Sequence, residues 1–367
     1  MNEASDPVTY LVATDVGGTC TDTIVLGSDG AIHIGKALST PPAFAEGVLD
    51  SIASAAGPMG LALDALLART RLFVHGTTVV DNAVLTRDGA RTGLIATKGF
   101  EDTLHSTRGA YGRWAGLTEE RIKHPVRTDR APALAPRDAV VGVAERVDCD
   151  GDVVVPLDEE AARRAVRHLR DRGLEALAVS FLWSFLNPAH EARVREIAAE
   201  EAPGLYVTLS SDIAPVPGEY ERTSTAVLNA YAGRITRDYL GALEGMLAAR
   251  GYRGATMVMQ GYGGLLPAAE AGDRAVGLIE CGPAAGVIGA RFLGGLMGDP
   301  DVIAADMGGT TFKVGVIQGG ALEYAREPMV DRFHYVAPKI EVVSIGAGGG
   351  SVVGIDPRTR TPLIGPR

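Results

Sequence analysis

The sequence Asp15-Val16-Gly17-Gly18-Thr19 returns far along the chain as Asp306-Met307-Gly308-Gly309-Thr310, each copy set between two apolar, β-branched runs. A carboxylate at a strand end followed by two glycines and a hydroxyl is a phosphate-gripping combination. Gly-Gly lets backbone N–H groups point at an anion without side-chain bulk and permits positive φ. The hydroxyls of Thr19 and Thr21, and of Thr310 and Thr311 in the second copy, are suited to donate to phosphate oxygens. Asp15 and Asp306 are suited to hold Mg2+, directly or through water, because that small hard cation takes oxygen ligands and keeps several waters. A single copy reads equally well as a tight hairpin turn, since turn chemistry alone favours Asp and Gly. Two copies point to opposed phosphate hairpins on paired domains that position a γ-phosphate and close around it.

Other residues carry a functional and a plainer reading side by side. His75-Gly76-Thr77-Thr78 follows a strand, where a loop would present His75, Thr77 and Thr78 to a substrate; a histidine satisfied within a turn fits as well. Asp81 and Asn82 read as helix caps. Glu219 and Glu221 precede a long helix, whose dipole favours acids there whatever their function. Gly346, Gly348, Gly349 and Gly350 with Ser351 read either as a nucleotide-cradling loop or as a flexible turn. His105, Arg108 and His124 fall in an irregular stretch, a solvated loop by default and a substrate lid in the sharper reading. Cys20 reads as packing, and no His, Asp or Cys cluster has transition-metal spacing.

These groups need a scaffold, and the sequence supplies alternating strands and helices. Thr9 to Asp15 and Asp22 to Leu26 open a hairpin meander, and Ala43 to Ala56 and Leu61 to Ala68 have helical periodicity. Strands are expected at Arg71 to Val74, Gly93 to Thr97, Leu174 to Phe185, Leu205 to Leu209 and Thr256 to Gln260. Helices are expected after Asp158, an N-cap, as far as Gly173, over His190 to Ala202, over Ala226 to Arg250 and over Cys281 to Leu296. Val302 to Asp306, Phe312 to Ile317 and Leu322 to Ala325 repeat the opening meander.

At 367 residues the chain exceeds what one hydrophobic core holds, so two or more domains are expected, with a boundary near 195–215. Hydrophobic residues at 46% and charged residues at 22% are those of a globular protein able to build that core. A formal charge of -10 argues against nucleic acid or an anionic membrane surface as partner, which are bound by Lys and Arg. Cys20, Cys149 and Cys281 are far apart and unpaired in spacing, which favours a reducing compartment. The start of the chain is short and polar, and no run of about 20 apolar residues follows. A cytoplasmic location is expected.

Paired DxGGT hairpins resemble the actin- and hexokinase-type ATPase superfamily. The ordered set DVGGTCTD (15–22), HGTTVVDN (75–82), NPAHE (187–191), EYERTST (219–225), GPAAG (282–286), DMGGTT (306–311) and IGAGGGS (345–351) is similar to the hydantoinase A / 5-oxoprolinase family. The resemblance implies an α/β fold of actin-like, ribonuclease H-like domains with duplicated phosphate-binding β-hairpins. It assigns 1–200 to an N-terminal hydantoinase/oxoprolinase domain and 201–367 to the start of a hydantoinase A domain, incomplete beside the first.

The activity so implied is ATP-dependent hydrolysis of a cyclic amide (hydantoin, 5-oxoproline or a related lactam) by phosphorylation of its carbonyl oxygen. A subunit of an acetone- or acetophenone-type carboxylase is the alternative within enzymes, and an ATP-binding scaffold or chaperone-like regulator the alternative outside them. ATP and Mg2+ are the implied cofactors, and a hydantoinase B-type subunit the implied partner in a hetero-oligomer. Carried onto this sequence, Asp15, Gly17, Gly18, Thr19 and Thr21 match the first hairpin and Asp22 completes it. Asp306, Gly308, Gly309, Thr310 and Thr311 match the second. The position often acidic after that hairpin is Lys313, which exchanges a metal or water contact for a direct phosphate contact or else weakens ATP use. The match also marks Arg222 as a domain-interface or substrate contact.

Overall fold

The computed structural model describes residues 8–41, 43–109, 117, 119–124, 130–309 and 311–365. It opens on the expected meander of β1 (Tyr10–Val16), β2 (Cys20–Gly27) and β3 (Ile32–Leu38), all antiparallel. In β1 the buried residues are Tyr10, Val12, Thr14 and Val16, the period of two that a sheet covered on one face imposes. That cover is α1 (Phe44–Ala56), which packs so closely that a Cβ on Gly35 of β3 would stand 2.2 Å from the Ser51 carbonyl oxygen. Beside it, the Thr23 and Ser51 hydroxyls hydrogen-bond at 2.6 Å.

β4 (Thr70–Thr77) runs parallel to β1 and leads straight into α2 (Val79–Thr86). A second sheet then forms from β5 (Thr92–Thr97), β6 (Val140–Val143), β7 (Ala176–Ser180) and β8 (Tyr206–Leu209), in the order β8-β7-β5-β6 with every pair parallel. Both β5 and β7 are buried at every position, as parallel strands with neighbours on both faces must be. The helices of this unit include α3 (Glu159–Asp171) and α4 (Ala189–Glu201). The Asp158 carboxylate accepts the Ala161 N–H, so the expected N-cap is in place. The strand expected over Leu174 to Phe185 is shorter, because the chain turns away after Ser180.

α5 (Glu219–Ala249) is 31 residues long and starts seven residues before the expected Ala226. Its first turns carry Arg222, Thr223, Ser224 and Thr225, polar residues that are nonetheless buried. The helix crosses both cores: Ala226 to Ala232 pack with the second sheet, Leu243 and Leu247 with Val12, Val48 and Phe73 of the first. β9 (Ala255–Met259), parallel to β4, and β10 (Leu265–Pro267) complete the first sheet in the order β10-β9-β4-β1-β2-β3.

α6 (Cys281–Met297) leads to the second meander, β11 (Val302–Met307) and β12 (Phe312–Gln318). Its third strand is split. β13 (Ala321–Leu322) pairs with one end of β12, the chain leaves the sheet, and β14 (Val343–Ile345) returns to pair with the other end. The strand expected over Leu322 to Ala325 is therefore cut short.

The contact of α1 with β3 yields a test. Gly35→Ala forces a methyl group into the Ser51 and Ala55 backbone, and overpacking of that kind destabilises by about 1 to 3 kcal/mol. Urea unfolding measures it; a loss below about 0.5 kcal/mol would refute the close packing.

Candidate functional site

The two hairpins are built alike. In the first, the Gly17 N–H donates to the Cys20 carbonyl at 3.0 Å, and in the second the Gly308 N–H donates to the Thr311 carbonyl at 3.0 Å. Asp15 stands opposite Asp22 across β1 and β2, and Asp306 opposite Lys313 across β11 and β12. Lys313 thus occupies the register position of Asp22. The tips meet: a Cβ on Gly309 would lie 3.3 Å from the Thr19 hydroxyl oxygen. The Asp15 carboxylate lies between the two halves, with one oxygen 2.7 Å from where a Cβ on Gly76 would stand and 3.1 Å from a Cβ on Gly282.

Asp15 is open to solvent on one side and enclosed on the others. Burial pushes its carboxyl above the ordinary range, the Lys313 ammonium offsets part of this, and the Asp22 and Asp306 charges add to it. Three carboxylates and one ammonium therefore share a field around the hairpin tips. Asp22 is paired in turn with Lys36 at 2.6 Å.

Several expected donors serve the hairpins instead of facing the space between them. Thr21 is buried, its hydroxyl 3.2 Å from the Ser39 hydroxyl, which donates to the Gly17 carbonyl at 2.7 Å. Alternation along β2 turns Thr21 inward, so the assignment of Thr21 to a phosphate is corrected. The same holds for Gly348 and Gly349. The Gly348 N–H donates to the Ser351 hydroxyl at 2.8 Å, and the Gly349 and Gly350 N–H groups donate to the Gly308 and Gly309 carbonyls at 2.9 and 2.8 Å. This loop backs the second hairpin, and those amides are not available to cradle a nucleotide. Thr310 lies outside the described residues; Thr311 is described and closes the turn.

The substrate candidates are also relocated. His75 is 0% exposed, with Nδ1 2.8 Å from the Thr14 hydroxyl and Nε2 2.8 Å from the Tyr239 hydroxyl. Both ring nitrogens are occupied, and the histidine belongs to the core. Burial lowers its pKa to about 3. Thr77 is buried, while the Thr78 hydroxyl donates to the Val16 carbonyl at 3.1 Å and so braces the first hairpin. Arg222 is 1% exposed at the carboxyl ends of β5 and β7. One nitrogen donates to the Phe181 carbonyl at 2.6 Å, and its guanidinium lies over the Phe185 ring. The Phe181 N–H is itself held by the buried Glu191 carboxylate at 2.8 Å, which gives the NPAHE motif a structural role. Arg222 is thus buried, supports the second sheet and lines a small pocket at its edge with Thr97 and Ser180.

Sequence reasoning passed over Gly76, Gly282 and Ser39 as parts of the site and took Asp81 for a cap. Both Asp81 oxygens are 3.2 Å from the Glu280 backbone nitrogen, across the molecule's two halves. Burial pushes the Asp81 carboxyl up to about 7, the Glu280 charge adds to this, and the Glu280 N–H and the Lys313 and Lys339 ammonium groups counter it. The glycines were legible only as motif members, because what they make room for comes from another strand. Among the described residues no group of three or more His, Cys, Asp or Glu side chains is placed to hold a metal ion. No helix among them is long and apolar enough to cross a membrane.

Opposed glycine hairpins on a meander-led α/β scaffold define an actin-like ATPase fold. The solved nucleotide-free structure of acetone carboxylase matches it with a TM-score of 0.87 at 34% identity, over 98% of this chain and 51% of that one. The structure of the ATP-dependent caprolactamase from Pseudomonas jessenii matches at 0.83 and 32%, with the same coverage of 98% and 51%. The hydantoinase/oxoprolinase N-terminal region matches residues 11–202 and the hydantoinase/oxoprolinase domain residues 222–367, so the chain belongs to the hydantoinase/oxoprolinase family. The gamma subunit of acetophenone carboxylase from Aromatoleum aromaticum is 39% identical over 96% of this chain and 48% of its own length. The chain spans about half the length of these relatives.

The buried His75 sets a pH dependence. Its folded pKa, about 3, lies below the ordinary 6.5, so the unfolded chain takes up the proton first. The stability it contributes is whole above pH 6.5 and is lost as pH falls from there toward about 3, by about 1.4 kcal/mol per unit. Urea unfolding at about pH 7 and about pH 5 should show a steeper acid loss for the native chain than for His75→Gln; equal slopes would contradict the assignment.

Proposed function

We propose that this chain holds Mg·ATP between its two hairpins and serves to phosphorylate the carbonyl oxygen of a small substrate, opening a cyclic amide such as a hydantoin, 5-oxoproline or a related lactam. The contact of Thr19 with Gly309 carries the reading, because it brings two glycine turns and Asp15 around one space. The residues fit the group. Gly18 has no atom within 4 Å of where its Cβ would stand, so its backbone is open to a ligand. The amides of Gly18 and Gly309, aimed by the turns that the Gly17 and Gly308 N–H groups close, and the hydroxyls of Thr19, Thr310 and Thr311 form the phosphate-binding set, with Lys313 as a direct phosphate contact. Asp15 and Asp306 hold Mg2+ directly or through water, and like-charge crowding at Asp15 supports a cation there. ATP supplies a transferable phosphoryl group and Mg2+ neutralises charge on it. An amide resists attack because of resonance, and phosphate on its oxygen makes that oxygen a leaving group.

A hydantoinase B-type subunit is the proposed partner in a hetero-oligomer. Support comes from an exposed apolar face on β2 and β3, where Ile24 pairs with Ile34 and Leu26 with Ile32. A second reading, ketone carboxylation with bicarbonate, uses the same hairpins. It is favoured by identity, 39% and 34% to the two carboxylase chains against 32% to the caprolactamase.

Phosphate release by the complete enzyme, measured over a panel of lactams, hydantoins and ketones, tests the proposal. Asp15→Ala should lower substrate-stimulated release about 100-fold or more; unchanged turnover would remove the role given to Asp15. Labelled bicarbonate with a ketone separates the readings, since label in the product excludes simple hydrolysis.

A further inference from the structure

The first turn of α2 touches the supports of both hairpins. Thr78, just before the helix, donates its hydroxyl to the carbonyl of Val16, the last residue of β1 before Gly17, at 3.1 Å. One turn on, Asp81 accepts the N–H of Glu280 with both oxygens at 3.2 Å. Glu280 immediately precedes α6, and α6 leads into β11 and the second hairpin. Its φ of 55° is a left-handed conformation that a non-glycine residue adopts at a cost. Two neighbouring bonds join the same segments: the Cys281 thiol donates to the Thr77 carbonyl at 3.1 Å, and the Thr77 N–H approaches the sulfur at 3.5 Å. The Glu280 side chain pairs with Lys339.

We infer that Asp81 is a positioning residue, the strut through which α2 fixes α6 against β1 and so sets the separation of the two hairpin tips. Of the bonds between the start of α2 and the entry to α6, that of Asp81 is the one that reaches the Glu280 backbone itself, with both carboxyl oxygens at 3.2 Å. Its removal leaves the Glu280 N–H without its acceptor and frees Glu280 to relax toward an ordinary φ. That relaxation turns the start of α6, where Gly282 lies against the Asp15 carboxylate. The kinetic consequence rests on the reading that both hairpins hold one nucleotide; the geometric consequence does not.

A disulfide serves as the ruler. In the complete assembled enzyme with Cys20→Ser and Cys149→Ser, Thr19→Cys and Gly309→Cys place two thiols where a Cβ on Gly309 now lies 3.3 Å from the Thr19 hydroxyl oxygen. A cysteine at 19 would carry its sulfur near the place of that oxygen, and in a disulfide, with its S–S bond of about 2.05 Å, each Cβ lies about 3 Å from the partner's sulfur. With Asp81 present the bond should form readily under mild oxidation, and with Asp81→Ala at least about tenfold more slowly. Asp81→Asn, which keeps an acceptor oxygen, should restore the rate to within about threefold. Equal rates for Asp81 and Asp81→Ala, or no bond even with Asp81, would overturn the inference. Should Asp81→Ala fail to fold, Asp81→Glu, which lengthens the strut by one methylene, replaces it: slow closure beside a fast Asn variant supports the strut, and equal closure overturns it. In the same enzyme without the new cysteines, Asp81→Ala should raise KM for ATP at least about tenfold with a smaller change in kcat, and Asp81→Asn should reverse it. If the disulfide rates respond as expected and KM does not, the strut stands and the shared-nucleotide reading falls.

Discussion

Asp15 is lodged between Gly76 on the neighbouring strand and Gly282 at the start of α6, and on each side only the missing Cβ makes room for its carboxylate. Three separate parts of the chain meet at this point. β1 supplies the acid, β4 supplies a parallel neighbour without a side chain, and α6 brings the second half of the molecule within contact. The closeness of the hairpin tips follows from it, because α6 runs on into β11 and carries Gly308 and Gly309 with it. A larger residue at either glycine would have to displace the Asp15 carboxylate from this place.

The charge pattern follows from the same approach. Two hairpins of one design would place four acids around the tips, and mutual repulsion would oppose closure without a cation. Lys313 in the register position of Asp22 makes the set three acids and one base, and its ammonium lowers the pKa of both Asp15 and Asp81. Asp22 is neutralised locally by Lys36, its cross-strand neighbour on β3. The second hairpin is backed differently, by backbone bonds from the Gly346 to Ser351 loop. The duplicated turn is therefore conserved in its backbone and varied in its charge within one chain.

Much of this was legible in the sequence where a local rule decides the outcome. Gly-Gly after a strand-ending Asp needs only its own backbone to make the turn, and both copies closed as expected. Asp158 caps its helix for the same local reason. The readings that failed depend on what stands opposite a side chain in three dimensions. Thr21 was assigned to phosphate because it is next to the turn, but strand alternation points it at Ser39. Of the two readings of His75, the loop ligand gives way to the satisfied histidine, because β4 is interior and Thr14 and Tyr239 use both its nitrogens. The polar start of α5 hid seven helical residues, since Arg222 to Thr225 are buried by partners distant in sequence. Asp81 showed the converse: a residue with a sufficient local explanation that makes its bond to the other half of the molecule.

The central claim is that one triphosphate is gripped by both turns at once. Hydrogen exchange at the amides of Gly18 and Gly309, read in the assembled enzyme with and without a non-hydrolysable ATP analogue, tests it most directly. The account predicts that the two amides gain protection together, in step with the binding of a single nucleotide per chain. Saturating nucleotide that protects only one of them, or neither, would contradict it.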